Sequence, residues 1–322
     1  IVPKLEELLE LSVKFAKDCV GDAALDITQS LKPGEVALLE NLRFHSEEKE
    51  GDEFFAGQLA ESGDVYVNDA FGTAHRAHAS TAVIARFFPV DKAFGLLLQG
   101  EIDALSKVMA DPASPLLAII GGAKVSSKLA VLENLVEKVD RLIIGGGMAY
   151  TFVLAQGGNV GNSLVEENMV PRALDILKKA EKKGVEVFLP LDSVVADAFS
   201  ADANAQNCST EGIPEGWMGL DIGPDSADRF AEAVRTSKTI LWNGPMGVFE
   251  FEKFSNGTFT VASALKEATD LGGYTLIGGG DSVAAINAAK LADQVSYVST
   301  GGGAMLEYLE GKMLPGIAAM AK

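Results

Sequence analysis

Short apolar segments alternate with amphipathic segments from Pro115 onwards, and this alternation strongly limits the folds open to the chain. The apolar segments lack the every-second-residue polarity of half-buried strands, which is typical of strands buried on both faces of a parallel sheet. Amphipathic segments such as 168–183 and 225–236 lie between them and predict helices. The predicted strands are residues 116–120, 141–144, 185–189, 239–242, 274–277 and 295–299. These strand–helix units predict a doubly wound parallel sheet with helices on both faces.

The N-terminal part shows the same alternation with fewer predicted strands, at residues 13–19, 36–39 and 65–67. Residues 99–109 predict a helix, which a proline-bounded stop follows. We therefore expect an α/β protein with two doubly wound parallel-sheet domains, residues 1–91 and 111–310, joined by a hinge helix at 92–110. An ordinary crossover helix within one large domain is the alternative. Because the chain begins IVPKLEELLELS without Met, we expect the N-terminal domain to be incomplete here.

The charge balance limits the possible partners. The net charge of the 322-residue chain is −18, and nucleic-acid binding needs a basic surface, so we expect no nucleic-acid partner. An acidic chain can still bind an anion where donors are concentrated. The two cysteines, Cys19 and Cys208, are far apart, which indicates a reducing compartment, and we predict a cytoplasmic location. No apolar run approaches the ~18 residues of a membrane span, so we expect no membrane partner.

Glycine clusters follow four of the predicted strands of the C-terminal half: GGAK at 121–124, GGGM at 145–148, GGGD at 278–281 and TGGG at 300–303. Ligands of open parallel sheets bind beyond the carboxyl ends of the strands, where glycine lets backbone amides approach them closely. Tight strand–helix turns with no ligand are the alternative. Neither the P-loop pattern nor the dinucleotide fingerprint is present.

Charged residues sit beside two of these turns. Lys124 and Lys128 are expected in the first turn of one helix, where they oppose the helix dipole unless a phosphate chain neutralises them. Two solvated surface lysines are the alternative. Asp281 either caps the helix that Ser282 begins or holds Mg²⁺ beside a polyphosphate.

Two further turns have the character of a nucleoside pocket. The segments WNGPMGVFEFEKF at 242–254 and GWMGLDIGP at 216–224 are rich in glycine and apolar side chains. Such surfaces can clamp a flat ring, and Glu250 is placed to accept ribose hydroxyls. Packed turns without a ligand are the alternative for both.

The N-terminal half contains a basic island in which all three histidines lie. Arg43 and His45 follow one predicted strand, and His75, Arg76 and His78 follow another. Arginine binds phosphate through two parallel hydrogen bonds, so we expect an anionic small molecule to dock here. The spacing of His75 and His78 is weak evidence for a metal, and structural or substrate-contacting histidines are favoured.

Long segments of the sequence resemble the phosphoglycerate kinase family, in the order LLENLRFH, NDAFGTAHRAHAST, GGAKVSSK, GGGMAYTF, WMGLDIGP, ILWNGPMGVFE, IGGGDS and STGGGAMLEYLEGKMLPGI. The resemblance implies a glycolytic enzyme, a phosphotransferase with a carboxyl group as acceptor. It implies reversible phosphoryl transfer between 1,3-bisphosphoglycerate and MgADP, giving 3-phosphoglycerate and MgATP. It also implies that the N-terminal domain binds the glycerate, that the C-terminal domain binds ADP or ATP, and that the tail at 311–322 packs back on the N-terminal domain. We expect a monomer.

The resemblance also implies roles for individual residues. Lys124, Gly302 and Gly303 match catalytic positions, Asp281 matches the Mg²⁺ ligand, and Arg43, Arg76 and His75 match the glycerate site. The expected nucleotide-binding residues are Gly122, Ala123, Lys128, Gly146, Gly147, Gly219, Leu220, Asn243, Pro245, Glu250, Gly279, Gly280, Asp281 and Ser282. The acceptor carboxylate is already ionised at neutral pH, so no general base is needed. Because the two substrates are expected on different domains, closure about the hinge is expected to be part of the mechanism.

Two other functions remain open from the sequence. The family's Asp-Phe-Asn-x-Pro strand end and His-Leu-Gly-Arg turn do not occur in this sequence, so a truncated fragment that binds nucleotide without turnover is one alternative. A dinucleotide-dependent dehydrogenase is suggested by the fold only, and the fingerprint glycines are lacking.

Overall fold

The computed structural model describes residues 1–321, and the chain divides into two compact units. The first unit comprises residues 1–100 together with the segment from Met313 onwards, and the second comprises Glu101–Lys312. Lys322, the last residue of the predicted tail, lies outside the described residues.

The first unit contains two separate pairs of short parallel strands. Strand β1 pairs with β2, and β3 pairs with β4. The elements, in chain order, are α1 (Val2–Leu9), β1 (Val13–Phe15), α2 (Asp22–Gln29), β2 (Val36–Leu38), α3 (Ser46–Glu50), α4 (Glu53–Ala60), β3 (Tyr66–Asn68), β4 (Lys92–Phe94) and α5 (Leu96–Met109). Phe55, Ile84 and Phe88 belong to its buried core.

The segment predicted as a hinge helix differs from the prediction at its start. Residues 92–94 form the strand β4, and helix α5 begins only at Leu96. The second unit begins at Glu101 rather than at the predicted residue 111, because the C-terminal part of α5 packs within it. Tyr274 Oη, for example, donates a hydrogen bond to the carbonyl oxygen of Ala104 at 3.4 Å.

The second unit is built on a parallel sheet of six strands within the described residues. The elements in chain order are β5 (Leu116–Ile120), α6 (Leu129–Leu135), β6 (Arg141–Ile144), α7 (Met148–Ala155), β7 (Asn159–Val160), α8 (Val170–Lys183), β8 (Glu186–Phe188), β9 (Asp192–Ala196), β10 (Ala205–Ser209), β11 (Gly212–Ile213), β12 (Met218–Ile222), α9 (Pro224–Arg235), β13 (Thr239–Asn243), α10 (Asn256–Asp270), β14 (Tyr274–Ile277), α11 (Gly280–Ala288), β15 (Tyr297–Val298) and α12 (Gly303–Leu309). The spatial order is β15-β14-β13-β5-β6-β8, and every neighbouring pair is parallel. The prediction of an α/β fold with a parallel sheet is confirmed.

The central strands are mostly apolar because both of their faces are covered, although β13 begins with Thr239 and ends with Asn243. Every residue of β5 and of β13 is buried. Trp242 of β13 is completely buried in a cluster that includes side chains of α9 and α10. This packing explains why these strands are read from the sequence as continuous apolar runs.

A smaller sheet lies beside the parallel one, and sequence patterning did not predict it. Strand β9 pairs antiparallel with β10 on one side and with β12 on the other. The sequence of β10 is AQNCS, and its residues are mostly exposed, so it carries no apolar signal. The chain then ends its described part with a short helix α13 (Pro315–Ala318), which groups with the first unit. There the amide of Gly316 donates to Ala74 O at 2.8 Å, and Lys92 Nζ donates to Ala319 O at 2.8 Å.

Candidate active site

The second unit has a topological switch point between β5 and β13. From β5 the sheet continues through β6 and β8 in one direction, and from β13 through β14 and β15 in the other. Connections that run in opposite directions leave a crevice at the carboxyl ends of the two central strands, which is where open α/β sheets bind ligands. The turns that begin at Gly121 and Gly244 follow these strands directly.

The glycines of these turns let the loop backbones pack against one another. A Cβ on Gly121 would collide with the carbonyl oxygens of Pro245 and Gly244, and a Cβ on Gly146 would collide with the backbone of Gly122. Gly146 also has a φ of 67°, which L side chains rarely adopt. Gly121 and Gly146 are therefore required by close backbone packing, whatever ligand the turns hold.

A cavity of about 710 Å³ opens beside these turns. Many of the predicted nucleotide-binding residues line it: Gly122, Ala123, Gly146, Gly147, Gly219, Leu220, Pro245, Glu250 and Asp281. A volume of this size is in the usual range for small-molecule sites. The structure thus brings residues from turns far apart in the sequence to one concave surface.

The cavity walls include apolar side chains that the sequence analysis did not name. Tyr150, Leu164, Phe199, Val248 and Phe251 all line it. The rings of Phe199 and Phe251 lie 5.4 Å apart between centroids. The alternating acidic and aromatic pattern around Phe251 was a usable signal, whereas Phe199 stands in a loop whose sequence gives none.

A polar group of predicted residues lies behind the cavity. The Lys128 ammonium contacts Asn243 Oδ1, and Asn243 Nδ2 donates to Gly278 O at 2.8 Å. Ser282 Oγ accepts a hydrogen bond from the Gly244 amide at 2.5 Å. Burial lowers the pKa of Lys128, and the charge of Asp281 partly opposes this shift. Asp281 lies in the first turn of α11, which begins at Gly280, rather than at a cap before Ser282.

The placement of the two lysines corrects the sequence prediction. Helix α6 begins only at Leu129, so Lys124 lies in an irregular loop and Lys128 stands just before the helix. The two lysines therefore do not share a helical first turn. A contact distant in sequence accounts for the loop, because Glu166 accepts hydrogen bonds from Ser126 N at 2.9 Å and from Ser126 Oγ at 2.5 Å. Lys124 is exposed, next to the cavity-lining Ala123.

The TGGG turn is held by a buried carboxylate of α5. Glu101 is completely buried and accepts hydrogen bonds from Ser299 Oγ at 2.7 Å, Thr300 N at 2.6 Å and Thr300 Oγ1 at 2.7 Å. The Gly301 amide donates to Ser299 Oγ at 3.0 Å. Gly302, with a φ of 48°, precedes α12, which begins at Gly303.

The first unit contains its own cavity, of about 500 Å³. Arg43 and His78 line it, together with Tyr66, Asn68 and Asp69 of the segment around β3. Neither Arg76 nor His75 is among its lining residues; Arg76 is exposed, and Nδ1 of His75 is buried without a hydrogen-bond partner among the described residues.

His45, a member of the predicted basic island, is paired elsewhere. Its Nε2 lies 2.8 Å from Asp18 Oδ1, and this hydrogen bond lowers the pKa of the Asp18 carboxyl group. The pairing directs His45 towards a carboxylate of the protein. The anion-binding character of this region therefore depends on its two arginines.

Fold and cavity together define an α/β protein with a concave surface at the switch point of a parallel sheet, where proteins of this class bind ligands. The family model described as phosphoglycerate kinase matches residues 1–312. A chloroplastic phosphoglycerate kinase of Volvox carteri is 54% identical over 320 residues, covering 99% of this chain and 69% of the relative. A cytosolic phosphoglycerate kinase of Triticum aestivum is also 54% identical over 320 residues, covering 99% and 80%.

A solved structure agrees with these relatives. The structure of phosphoglycerate kinase from Coxiella burnetii superposes with a TM-score of 0.90 at 42% identity, covering 99% of this chain and 79% of that one. The chain belongs to the phosphoglycerate kinase family. The predictions of the family, of its phosphotransferase class and of the kinase activity that the family name states are confirmed.

Among residues 1–321, no helix combines the length and the apolar character that crossing a membrane requires.

Proposed function

We propose that this chain transfers a phosphoryl group reversibly between 1,3-bisphosphoglycerate and MgADP, giving 3-phosphoglycerate and MgATP. The observation that carries the proposal is the cavity at the switch point, where glycine turns, apolar walls and two carboxylates converge. Such a cavity suits a nucleoside diphosphate, which has a flat ring at one end and anionic oxygens at the other. The family membership of the chain supports the same substrate pair.

The nucleotide is proposed to lie along this cavity. Leu220, Phe251 and Pro245 would contact the ring, and the Glu250 carboxylate would accept hydrogen bonds from ribose hydroxyls. Gly219 suits the wall because a Cβ there would collide with the Tyr150 hydroxyl. The phosphates would reach the side where Lys128, Asn243 and the α11 N-terminus lie, because a helix N-terminus and an ammonium group both favour anions.

Asp281 fits the part of a Mg²⁺ ligand. Its carboxylate lines the cavity and is exposed, and Mg²⁺ prefers one or two carboxylates together with phosphate oxygens. When bound, the ion would neutralise charge on the nucleotide phosphates. Within this proposal Asp281 orients the diphosphate, while Gly279 and Gly280 let the backbone approach it.

The transferring phosphoryl group is proposed to meet Lys124 and the amides of Gly302 and Gly303. Lys124 is exposed and free to follow a ligand, and it stands next to the cavity wall. The acceptor carboxylate is ionised at neutral pH, so the residues have to align two anions and offset their charge rather than remove a proton. Arg43, Arg76 and His75 are proposed to hold the glycerate on the first unit, where Arg43 lines the cavity.

The proposal is tested by a coupled turnover assay together with calorimetry of MgADP binding. Lys124→Ala is expected to lower kcat by about a hundredfold or more, while MgADP affinity changes little because Lys124 does not line the cavity. Lys138→Ala, which removes another exposed lysine of the same unit, serves as the matched control. Nucleotide binding without any turnover in the unsubstituted chain would contradict the proposal.

We further propose a monomer that works in the cytoplasm without nucleic-acid or membrane partners. The strongly acidic net charge of −18 supports the absence of a nucleic-acid partner. The relatives include both chloroplastic and cytosolic proteins, so they support no single compartment, and the cytoplasmic location rests on the sparse, widely separated cysteines. Sedimentation of the purified chain tests the oligomeric state.

A further inference from the structure

Glu48 is a buried carboxylate in the wall of a cavity proposed to bind an anion. It belongs to the short helix α3, is only 2% exposed, and lines the same cavity as Arg43. A negative charge in such a place would repel 3-phosphoglycerate unless it were neutralised by the protein's own donors. The contacts of Glu48 therefore need an explanation that the proposed chemistry does not supply.

Both carboxylate oxygens of Glu48 are engaged by one residue of the basic segment, defined here as residues 75–81. Oε2 accepts a hydrogen bond from Ser80 N at 2.9 Å, and Oε1 accepts one from Ser80 Oγ at 2.6 Å. The backbone carbonyl of Glu48 accepts a further hydrogen bond from Ala79 N at 2.9 Å. Hydrogen bonds to a charged acceptor are stronger than those between neutral groups. The Glu48 carboxylate therefore fixes the basic segment in place.

Further contacts hold the part of the basic segment that includes Arg76. Thr81 Oγ1 donates to the carbonyl oxygen of Arg76 at 2.9 Å. Gly51, which ends α3 with a φ of 68°, packs so closely on the segment that a Cβ would collide with Ala77 O. His78 is also buried here, with Nδ1 3.7 Å from Glu48 Oε1. Helix α3 and the basic segment thus form one tightly fitted unit on the cavity wall.

We propose that Glu48 is a positioning residue for glycerate binding, which fixes the basic segment, and with it Arg76, through its hydrogen bonds to Ser80. The inference rests on the proposed function, because it assumes that Arg76 grips the glycerate. Glu48 itself is not expected to touch the substrate. Its role predicts a selective effect on the glycerate substrate and none on the nucleotide, whose cavity lies in the second unit.

Steady-state kinetics in the direction from 3-phosphoglycerate and ATP test this role. Glu48→Ala is expected to raise the KM for 3-phosphoglycerate about tenfold, with the KM for ATP changed by less than about twofold. Glu48→Gln is expected to restore the KM to within about threefold of the unsubstituted value, since its carbonyl can accept from Ser80 N and its amide can donate to the Ser80 hydroxyl. Glu47→Ala, an exposed glutamate of the same helix, is the control and should match the unsubstituted chain.

Several outcomes would overturn the proposal. An unchanged glycerate KM in Glu48→Ala would do so, and so would an equal rise in both KM values, which would indicate general loosening. A Glu48→Gln variant as impaired as Glu48→Ala would show that charge, rather than hydrogen bonding, matters. If Glu48→Ala does not fold, Ser80→Ala removes the hydroxyl hydrogen bond to Glu48 Oε1, keeps the backbone one to Oε2, and must still raise the glycerate KM selectively. Absence of turnover in the unsubstituted chain would instead contradict the proposed function itself.

Discussion

Asp221 shows how one residue of the second unit couples ionisation to folding. It lies in β12, is 1% exposed, and accepts hydrogen bonds from Ile222 N and Gly257 N at 2.9 Å and 2.8 Å. Burial raises the pKa of its carboxyl group from 3.8 to about 7, and the two backbone hydrogen bonds oppose the rise. The folded chain therefore holds this proton to a higher pH than the unfolded chain does.

The raised pKa of Asp221 makes the stability of the folded chain depend on pH. The stabilising contribution is complete below about pH 4 and is lost as the pH rises through about 7. Asp221→Asn is therefore expected to remove a decline in the free energy of unfolding between about pH 4 and pH 7, with a slope of up to about 1.4 kcal/mol per pH unit. Urea unfolding at a series of pH values measures the difference.

The control for this prediction is Asp202→Asn, which changes an exposed carboxylate of the same unit. The free energy of unfolding of this variant should change with pH in the same way as that of the unsubstituted chain, across the whole pH range. Parallel curves for Asp221→Asn as well would show that the buried carboxyl group is not the source of the slope.

The turns that follow the central strands are the elements on which the site depends, and their packing is testable. Gly121→Ala is expected to cost about 3 kcal/mol of unfolding free energy, because its Cβ would overlap the backbone of Gly244 and Pro245. Gly212→Ala is the matched control, since its Cβ would meet nothing within 4 Å. Equal stability of the two variants in urea unfolding would refute the close packing of these turns.

The loop that carries Lys124 provides a second test at this scale. Glu166→Ala removes both hydrogen bonds to Ser126, so amide hydrogen exchange in residues 122–128 is expected to become faster. Glu167→Ala changes the neighbouring exposed glutamate and is expected to leave exchange unchanged. Mass spectrometry of peptides that cover the loop reads out the difference, and similar rates in the two variants would contradict the anchoring role of Glu166.

Elements with a continuous apolar sequence could be predicted from patterning, whereas those fixed by distant contacts could not. Strands β5, β6 and β14 begin and end where the sequence predicts, because burial on both faces makes most of their positions apolar. The exposed strand β10 has no such signal. The helix predicted around Lys124 fails for another reason: Glu166, forty positions further on, holds Ser126 in an irregular loop.

The site shows the same division. Its glycines and charged residues stand in recognisable turns, so most of the lining of the cavity in the second unit could be predicted from the sequence and the family resemblance. Phe199 and Leu164 reach the cavity from loops whose sequences resemble those of any surface loop. The sequence places His45 in the predicted basic island, but its pairing with Asp18 depends on a contact between residues 27 positions apart, which the sequence does not indicate.

At the scale of the whole molecule, the two proposed substrate cavities belong to different compact units. Direct transfer requires the reacting atoms to come within about 3–3.5 Å, so we propose that closure about helix α5 accompanies binding of both substrates. Small-angle scattering is expected to show a smaller radius of gyration with both substrates than with either alone. An unchanged radius would contradict closure.

Helix α13 is synthesised after the second unit but groups with the first unit, so the two units cannot be completed in the order in which they begin. The second unit is one uninterrupted stretch, Glu101–Lys312, and is complete before the residues from Met313 onwards emerge from the ribosome. The first unit, by contrast, must wait for those late residues before Gly316 can bond to Ala74, one position before His75. A nascent chain can therefore assemble its second unit before the first unit gains the contact between Gly316 and Ala74.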